Sequence, residues 1–89
     1  MLFQIKYSNT FKKDIKLMQR RGKEMHKFKI VIDLLASGES LPQKYRDHAL
    51  IGNYIEHREC HIEPDWLLIY RIEGDILFFE RTGTHADLF

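Results

Sequence analysis

The sequence is poor in the residues that cross-link a chain or break its regular structure. Its 89 residues include one cysteine, two prolines and five glycines. The single thiol, Cys60, excludes an internal disulfide and a zinc site built from several cysteines. We expect Cys60 to be buried and inert, and one unpaired cysteine favours a reducing cytoplasm as the location.

Long apolar runs are also missing. No stretch of the sequence approaches the roughly 18–20 apolar residues that cross a bilayer, so we expect no membrane anchor. Hydrophobic residues still make up 44% of the chain, which is enough for one modest core. We therefore predict a single globular domain over residues 1–89.

Charge is unevenly distributed, although the formal net charge is only +1. Residues 1–46 contain eleven Lys/Arg and four Asp/Glu, whereas residues 47–89 contain three and nine. A basic half of this kind suits a polyanion such as RNA, or an acidic protein partner. The alternative is a set of solvated helix faces without a partner.

The first half of the chain predicts one strand and two helices. Residues 2–7 alternate as a strand does, and the following "SNT" offers helix N-caps. Phe11, Ile15 and Met18 then recur at helical spacing before Gly22. A second helix is expected from about residue 23 to 37, ended by Gly38.

The second half changes to a period of two. After an irregular stretch at 38–52 with at most a short strand near "DHAL", strands are predicted at 54–62, 66–73 and 76–82. The order β-α-α-β-β-β indicates an α+β domain. We expect an antiparallel sheet, with the helical hairpin on one face and the other face left available.

Four of the five histidines lie in this second half, and several could meet at one end of the sheet. Histidine suits proton transfer near neutral pH, and RNA cleavage needs a base, an acid and a positive charge near the phosphate. The residues expected to gather there are His48, Glu59, His61, Asp65, Arg81 and His85.

Two other interpretations of these residues remain open. His57, His61 and Asp65 could form a metal site with two histidines and one carboxylate. Each histidine taken singly could instead be an ordinary surface residue. Three aromatic residues on the predicted strands are expected to pack in the core or on a sheet face and not to stack on bases: Trp66, Tyr70 and Phe78.

The segments "YRDHALIG", "HRECHIEPDWLLIYRI" and "FFERTGTHADLF", taken in this order, resemble the YafQ family of bacterial toxins, within the RelE/ParE superfamily of type II toxin–antitoxin systems. The N-terminal "YSNTFKKDIKLMQRRGKEM" is similar to the opening strand and basic helix of that family. The resemblance therefore covers almost the whole chain and implies a RelE-like fold.

This resemblance implies a ribosome-dependent endoribonuclease that cuts mRNA in the A site without a metal or other cofactor. It also implies a DinJ-like antitoxin, the 70S ribosome and mRNA as partners, with operator DNA bound only by the toxin–antitoxin complex. The catalytic residues carried over by motif are His48, His61, Asp65 and His85.

The same resemblance assigns the substrate contacts. Arg81 corresponds to the phosphate-facing arginine, and Phe89 to the aromatic that seats the mRNA. Glu59 stands where relatives often have aspartate, so its role is open. Ala49 and His57 also depart from the family pattern. His85 is our choice of general acid, and Asp65 could be the general base or orient a histidine.

The basic helices would dock the protein on ribosomal RNA through Lys12, Lys13, Lys16 and Arg20. Two other functions share the expected fold or charge. One is a ParE-like toxin that binds a protein target without catalysis, and the other is a stand-alone RNA- or DNA-binding module.

Overall fold

A computed structural model describes residues 3–89 of the chain. Leu2, included in the first predicted strand, lies outside these residues. The elements in chain order are β1 (Gln4–Tyr7), α1 (Asn9–Arg20), α2 (Met25–Ala36), a 3-10 turn (Gln43–Tyr45), β2 (His48–Ala49), a second 3-10 turn (Gly52–Tyr54), β3 (Arg58–Glu63), β4 (Trp66–Glu73), β5 (Ile76–Gly83) and α3 (His85–Leu88). No helix in this part of the chain is both long and apolar enough to span a bilayer.

Helix α1 begins and ends where the sequence indicated. The Ser8 hydroxyl accepts a hydrogen bond from the Phe11 amide at 2.9 Å, which caps the helix N-terminus. Gly22 follows the last turn with a φ of +78°, a conformation that glycine adopts without strain. The side chains of Phe11, Asp14 and Met18 face the interior.

The five strands form one sheet in the order β1-β5-β4-β3-β2. The α+β class is confirmed, but the expectation of a wholly antiparallel sheet is wrong. Strand β1 runs parallel to β5, with Gln4 beside Ile76 and Tyr7 beside Phe79. Parallel pairing needs a long crossover, and the helices together with the β2–β4 segment provide it.

The main core lies between the sheet and the two long helices, as predicted. Helix α1 contributes Phe11 and Met18, and α2 contributes Phe28, Val31 and Leu35. They pack on Cys60, Ile62, Trp66, Leu68, Tyr70, Leu77 and Phe79 of the sheet. Cys60 is fully buried, and this burial raises the pKa of its thiol.

The opposite face is not left open along its length. Leu67 and Ile69 of β4 are fully buried there, because Leu88 of α3, Leu50 and Tyr54 cover them. The prediction of an available face is therefore wrong for this part of the sheet. A small second core anchors the C-terminal helix beside the residues described next.

Strand β3 begins at Arg58, later than the predicted start at 54. The Gly52–Tyr54 segment is a 3-10 turn, and Glu56 has a φ of +70°, so the backbone is not extended there. His57 consequently precedes the strand instead of belonging to it.

Candidate active site

Two neighbouring rows of the sheet position the candidate residues. One row runs across four strands through His48, Glu59, Ile69 and Arg81. The next row contains His61, Leu67 and Gly83, and the chain then turns into α3, which begins at His85. Since Glu59 and His61 are two residues apart on one strand, their side chains share a face.

Glu59 and His61 form the buried part of the site. Glu59 is 5% exposed, and its Oε1 lies 2.8 Å from Nε2 of His61. The His61 ring lies between the other two imidazoles, with its centroid 6.2 Å from that of His48 and 5.6 Å from that of His85. Three imidazoles therefore face one small region.

Asp65 holds His85 in a defined orientation. One carboxylate oxygen, Oδ1, accepts from the His85 backbone amide at 2.9 Å and from Nδ1 of its ring at 2.6 Å. These two hydrogen bonds, the backbone one first, lower the pKa of Asp65. An ionised Asp65 fixes the proton on Nδ1 and leaves Nε2 of His85 for substrate.

Helix α3 is short but strongly capped. Thr84 and Asp87 form a capping box, and Asp87 also accepts two hydrogen bonds from Arg21 of the α1–α2 turn. Arg21 is the largest cause of the lowered pKa of Asp87. A Cβ at Gly83 would lie 2.9 Å from the Cβ of Asp87, so only glycine allows α3 to approach β5 this closely.

His48 is oriented by the backbone just before it. Its Nδ1 donates to the Arg46 carbonyl at 2.6 Å, because a carbonyl oxygen can only accept. Neutral His48 therefore carries its lone pair on Nε2, which lies 3.8 Å from Glu59 Oε1. Arg46 has a φ of +49°, a strained conformation for a residue with a side chain.

Asp47 secures this loop from the other side and was not among the predicted site residues. Its Oδ1 accepts from the Tyr70 hydroxyl at 2.6 Å and from Nε of Arg58 at 3.2 Å. Burial and this hydrogen bond raise the pKa of Tyr70. The sequence gives no local signal for the contact, since the three residues come from separate strands and loops.

Arg81 is held by Asp14 of α1, a second residue missed from the sequence. Nε and Nη2 of Arg81 donate to the two Asp14 oxygens at 2.7 and 3.2 Å, and the Thr82 amide also donates to Asp14 at 3.2 Å. A signal existed, because Asp14 lies on the same helix stripe as Phe11 and Met18. An acid on an apolar stripe predicts a buried partner.

Phe89 lies at the margin of the site, whereas His57 lies outside it. Phe89 is 65% exposed, and its ring makes an edge contact with Tyr54 at 5.9 Å. His57 lies beside Tyr54 as well, and its Nε2 is 3.4 Å from Glu80. His57 thus belongs to a separate ion-pair group at the far end of β3.

The structure therefore brings together Glu59, His61 and His85. Asp65 is hydrogen-bonded to His85, and His48 Nε2 lies 3.8 Å from Glu59 Oε1. Arg81 lies in the same row as Glu59, two strands away, and its guanidinium is turned toward α1. The predicted docking residues Lys12, Lys13, Lys16 and Arg20 are all exposed on α1.

A metal could bind in this cluster, though not through the ligand set considered from the sequence. Among residues 3–89, the single group of at least three His, Cys, Asp or Glu ligand atoms within 4.8 Å of one another is Glu59, His61 and His85. Two imidazoles and a carboxylate suit a first-row transition metal. His57 and Asp65, the other two members of the expected set, are not part of it.

Comparison with known proteins identifies the family of this chain. The sequence profile described as "Bacterial toxin of type II toxin-antitoxin system, YafQ" matches residues 3–89. The chain belongs to the YafQ toxin family. The resemblance stated from the motifs is thereby confirmed.

Individual YafQ proteins are similar over nearly the whole chain. The mRNA interferase toxin YafQ of Escherichia coli K12 is 49% identical over 86 residues, which cover 96% of this chain and 94% of that protein. In the crystal structure of the E. coli DinJ-YafQ toxin-antitoxin complex, a chain of 47% identity superposes with a TM-score of 0.92, covering 100% and 99% of the two chains.

One similar toxin has been solved with metal bound. The crystal structure of a metal-bound toxin from Helicobacter pylori is 40% identical and superposes with a TM-score of 0.91, covering 100% of both chains. The α+β architecture with a five-stranded mixed sheet is thus shared with structures of the YafQ family.

Proposed function

We propose that this YafQ-family protein is a ribosome-dependent endoribonuclease that cuts mRNA in the ribosomal A site and so inhibits translation in the cytoplasm. The observation that carries the proposal is the cluster of three imidazoles around Glu59, with His85 oriented by Asp65. A toxin that only binds a protein target does not require two imidazoles whose ring centroids lie about 6 Å from that of a third, at 6.2 and 5.6 Å here.

The geometry supports distinct roles for His48 and His85. His48 presents a lone pair on Nε2 and would remove the ribose 2′-proton, after which the 2′-oxygen attacks phosphorus. His85, protonated on Nε2, would donate to the departing 5′-oxygen. Asp65 orients His85 instead of acting as the base, because its lowered pKa makes it a weak proton acceptor.

His61 and Arg81 would stabilise charge that develops on the phosphate. His61 lies between the two other imidazoles, and its bond to the buried Glu59 fixes the ring. Arg81 would face the phosphate with donors that Asp14 does not use, and Phe89 would stack on a base of the mRNA. We propose that this reaction proceeds without a metal.

The exposed cations of α1 support docking on ribosomal RNA. Lys12, Lys13 and Lys16 project from the helix, away from its buried stripe. Replacing all three with glutamate is expected to weaken ribosome co-sedimentation strongly while the unfolding midpoint stays near that of the wild type. Lys29→Glu on α2 is the matched control, and equal binding by both variants would contradict the assignment.

The structure of the DinJ-YafQ complex supports an antitoxin partner of the DinJ type for this protein. We propose that such an antitoxin neutralises the toxin, and that operator DNA is bound only by the complex of the two. Co-expression with a DinJ-type antitoxin should yield a stable complex that shows no nuclease activity.

Primer extension on an mRNA in a purified translation system tests the activity. Ribosome-dependent cuts are expected from the wild type, and they should be lost in His85→Ala but kept in His57→Gln, whose amide preserves the bond to Glu80. Chelator-treated toxin should cut equally well. Folded wild type that makes no cuts would instead indicate a toxin that only binds its target.

A further inference from the structure

A second concave surface adjoins the imidazole cluster and shares only His61 with it. This cleft, about 600 Å³ in volume, lies between α2 and the turn that precedes β2. Its lining comes from α2 (His26, Lys27 and Ile30), from the turn before β2 (Lys44, Tyr45 and Arg46), and from the end of β3 with the residue after it (His61, Ile62, Glu63 and Pro64). A volume of about 300–1,000 Å³ is typical of small-ligand sites.

The cleft is positively charged. Across residues 3–89, neither Lys44 nor Arg46 takes part in an ion pair. The one carboxylate in the lining, Glu63, is shared by Lys27 at 2.9 Å and Lys23 at 3.3 Å. Lys23 and Lys27 thus neutralise Glu63. Lys44 and Arg46, in the turn before β2, are available to bind an anion.

Apolar surface accompanies these charges. Ile30 is 48% exposed although it lies on the wall of a cleft, and the Tyr45 ring is half-buried beside it. The Lys44 ammonium lies 5.0 Å from the centroid of the Tyr45 ring. A planar apolar wall next to cations that form no ion pair matches a nucleotide, whose base stacks while its phosphate pairs with lysine or arginine.

His61 connects the cleft with the proposed site of cleavage. Its side chain lines the cleft, and its ring is also the middle member of the imidazole cluster. An RNA strand with its reacting phosphate at the cluster would therefore place an adjoining nucleotide in the cleft.

We propose that this cleft is a nucleotide subsite, which holds the base and phosphate of an mRNA residue next to the bond that is cut. The proposal rests on the proposed nuclease function and extends it to a second group of residues. Lys44 and Arg46 contact the phosphate, and Ile30 with Tyr45 flanks the base. The subsite contributes to substrate binding and to preference for the neighbouring base.

Direct binding tests the subsite without requiring catalysis. The probe is an adenosine trinucleotide in which each 2′-hydroxyl is replaced by hydrogen, so that it cannot be cut, titrated into the ¹⁵N-labelled protein. The amide resonances of Lys44, Tyr45 and Ile30 should shift together with that of His61. No binding at millimolar concentration, or shifts confined to the imidazole cluster, would overturn the proposal.

Variants sharpen the test. Lys44→Ala and Arg46→Asn should each weaken trinucleotide binding about threefold to fivefold, as expected for an exposed charge contact. Each should also reduce the slope of log affinity against log salt by about 0.7. Asparagine suits position 46 because it tolerates a positive φ. Lys29→Ala, an exposed lysine of α2 outside the cleft, is the control and should bind as the wild type does.

The outcomes separate this proposal from the nuclease proposal. A wild type that cuts no mRNA but binds the trinucleotide in the cleft would retain the subsite and refute the nuclease. If the wild type cuts mRNA normally and both variants bind the trinucleotide with unchanged affinity, the nuclease proposal is retained and the subsite is refuted. If the variants weaken antitoxin binding and leave trinucleotide affinity unchanged, the cleft is an antitoxin surface and the proposal is wrong.

Discussion

Replacing Asp14 with asparagine is expected to destabilise the protein by about 2–3 kcal/mol. The carboxylate accepts three hydrogen bonds, at 2.7 and 3.2 Å from Arg81 and at 3.2 Å from the Thr82 amide. An asparagine keeps one acceptor and points an NH₂ group at a donor. Hydrogen bonds to charged groups contribute about 1.5–3 kcal/mol each, and an unsatisfied buried donor costs about 1–3 kcal/mol.

Solvent limits the size of this effect. The Arg81 side chain is 27% exposed, so water can replace part of what Asp14 provides, and the loss stays below the sum of three separate bonds. For a domain of this size, the expected free-energy change corresponds to a fall in melting temperature of about 10–20 °C.

Urea unfolding followed by the fluorescence of Trp66, the only tryptophan and fully buried, measures the change. Asp33→Asn is the matched control, because Asp33 is an exposed helix carboxylate bonded to Lys29, and it should cost less than about 0.5 kcal/mol. In a double-mutant cycle with Arg81→Met, the two losses should be less than additive. A loss below about 0.5 kcal/mol for Asp14→Asn, or strict additivity, would refute the reasoning.

Three further predictions follow from other contacts. The lowered pKa of Asp87 means that its stabilising effect is complete above the unfolded-state pKa of about 3.9 and is lost as pH falls through the lower folded-state value. Urea midpoints measured from pH 6 to pH 2 should therefore fall less steeply in Asp87→Asn than in the wild type. Gly83→Ala should displace α3, lower the free energy of unfolding by about 1–3 kcal/mol and reduce the proposed mRNA cleavage, because the added Cβ would meet Asp87. Wild-type values in both measurements would contradict this prediction. Cys60 should react with a thiol reagent in urea but not in the native protein, and rapid native labelling would contradict its burial.

The sequence predicted best those elements that depend on local periodicity. Strand β4 was expected at 66–73 and is observed at Trp66–Glu73, because its alternating side chains fill two different cores. The parallel pairing of β1 with β5 could not be predicted, since no local pattern distinguishes a parallel from an antiparallel edge. Helix α3 was missed, although the Thr84–Asp87 spacing of its capping box is visible in the sequence.

The candidate site shows the same division. The motifs and the period of two placed Glu59 and His61 on one face and brought His85 back to them, and the structure has these contacts. The sequence could not predict which residues hold the side chains around the site in place. The hydrogen bonds from Arg81 to Asp14 and from Tyr70 to Asp47 join residues far apart in the chain, and depend on which elements become neighbours.

The pairing of β1 with β5 limits when the sheet can be completed during synthesis of the chain. Strand β1 and both long helices leave the ribosome first, but their apolar residues have no sheet to cover them until β3 to β5 follow. A nascent chain that ends before Ile76 has neither this sheet edge nor His85. Contacts between distant parts of a chain also fold slowly. The histidine cluster therefore cannot be complete until His85 has been made, and the partly made chain exposes the apolar stripes of α1 and α2 before that point.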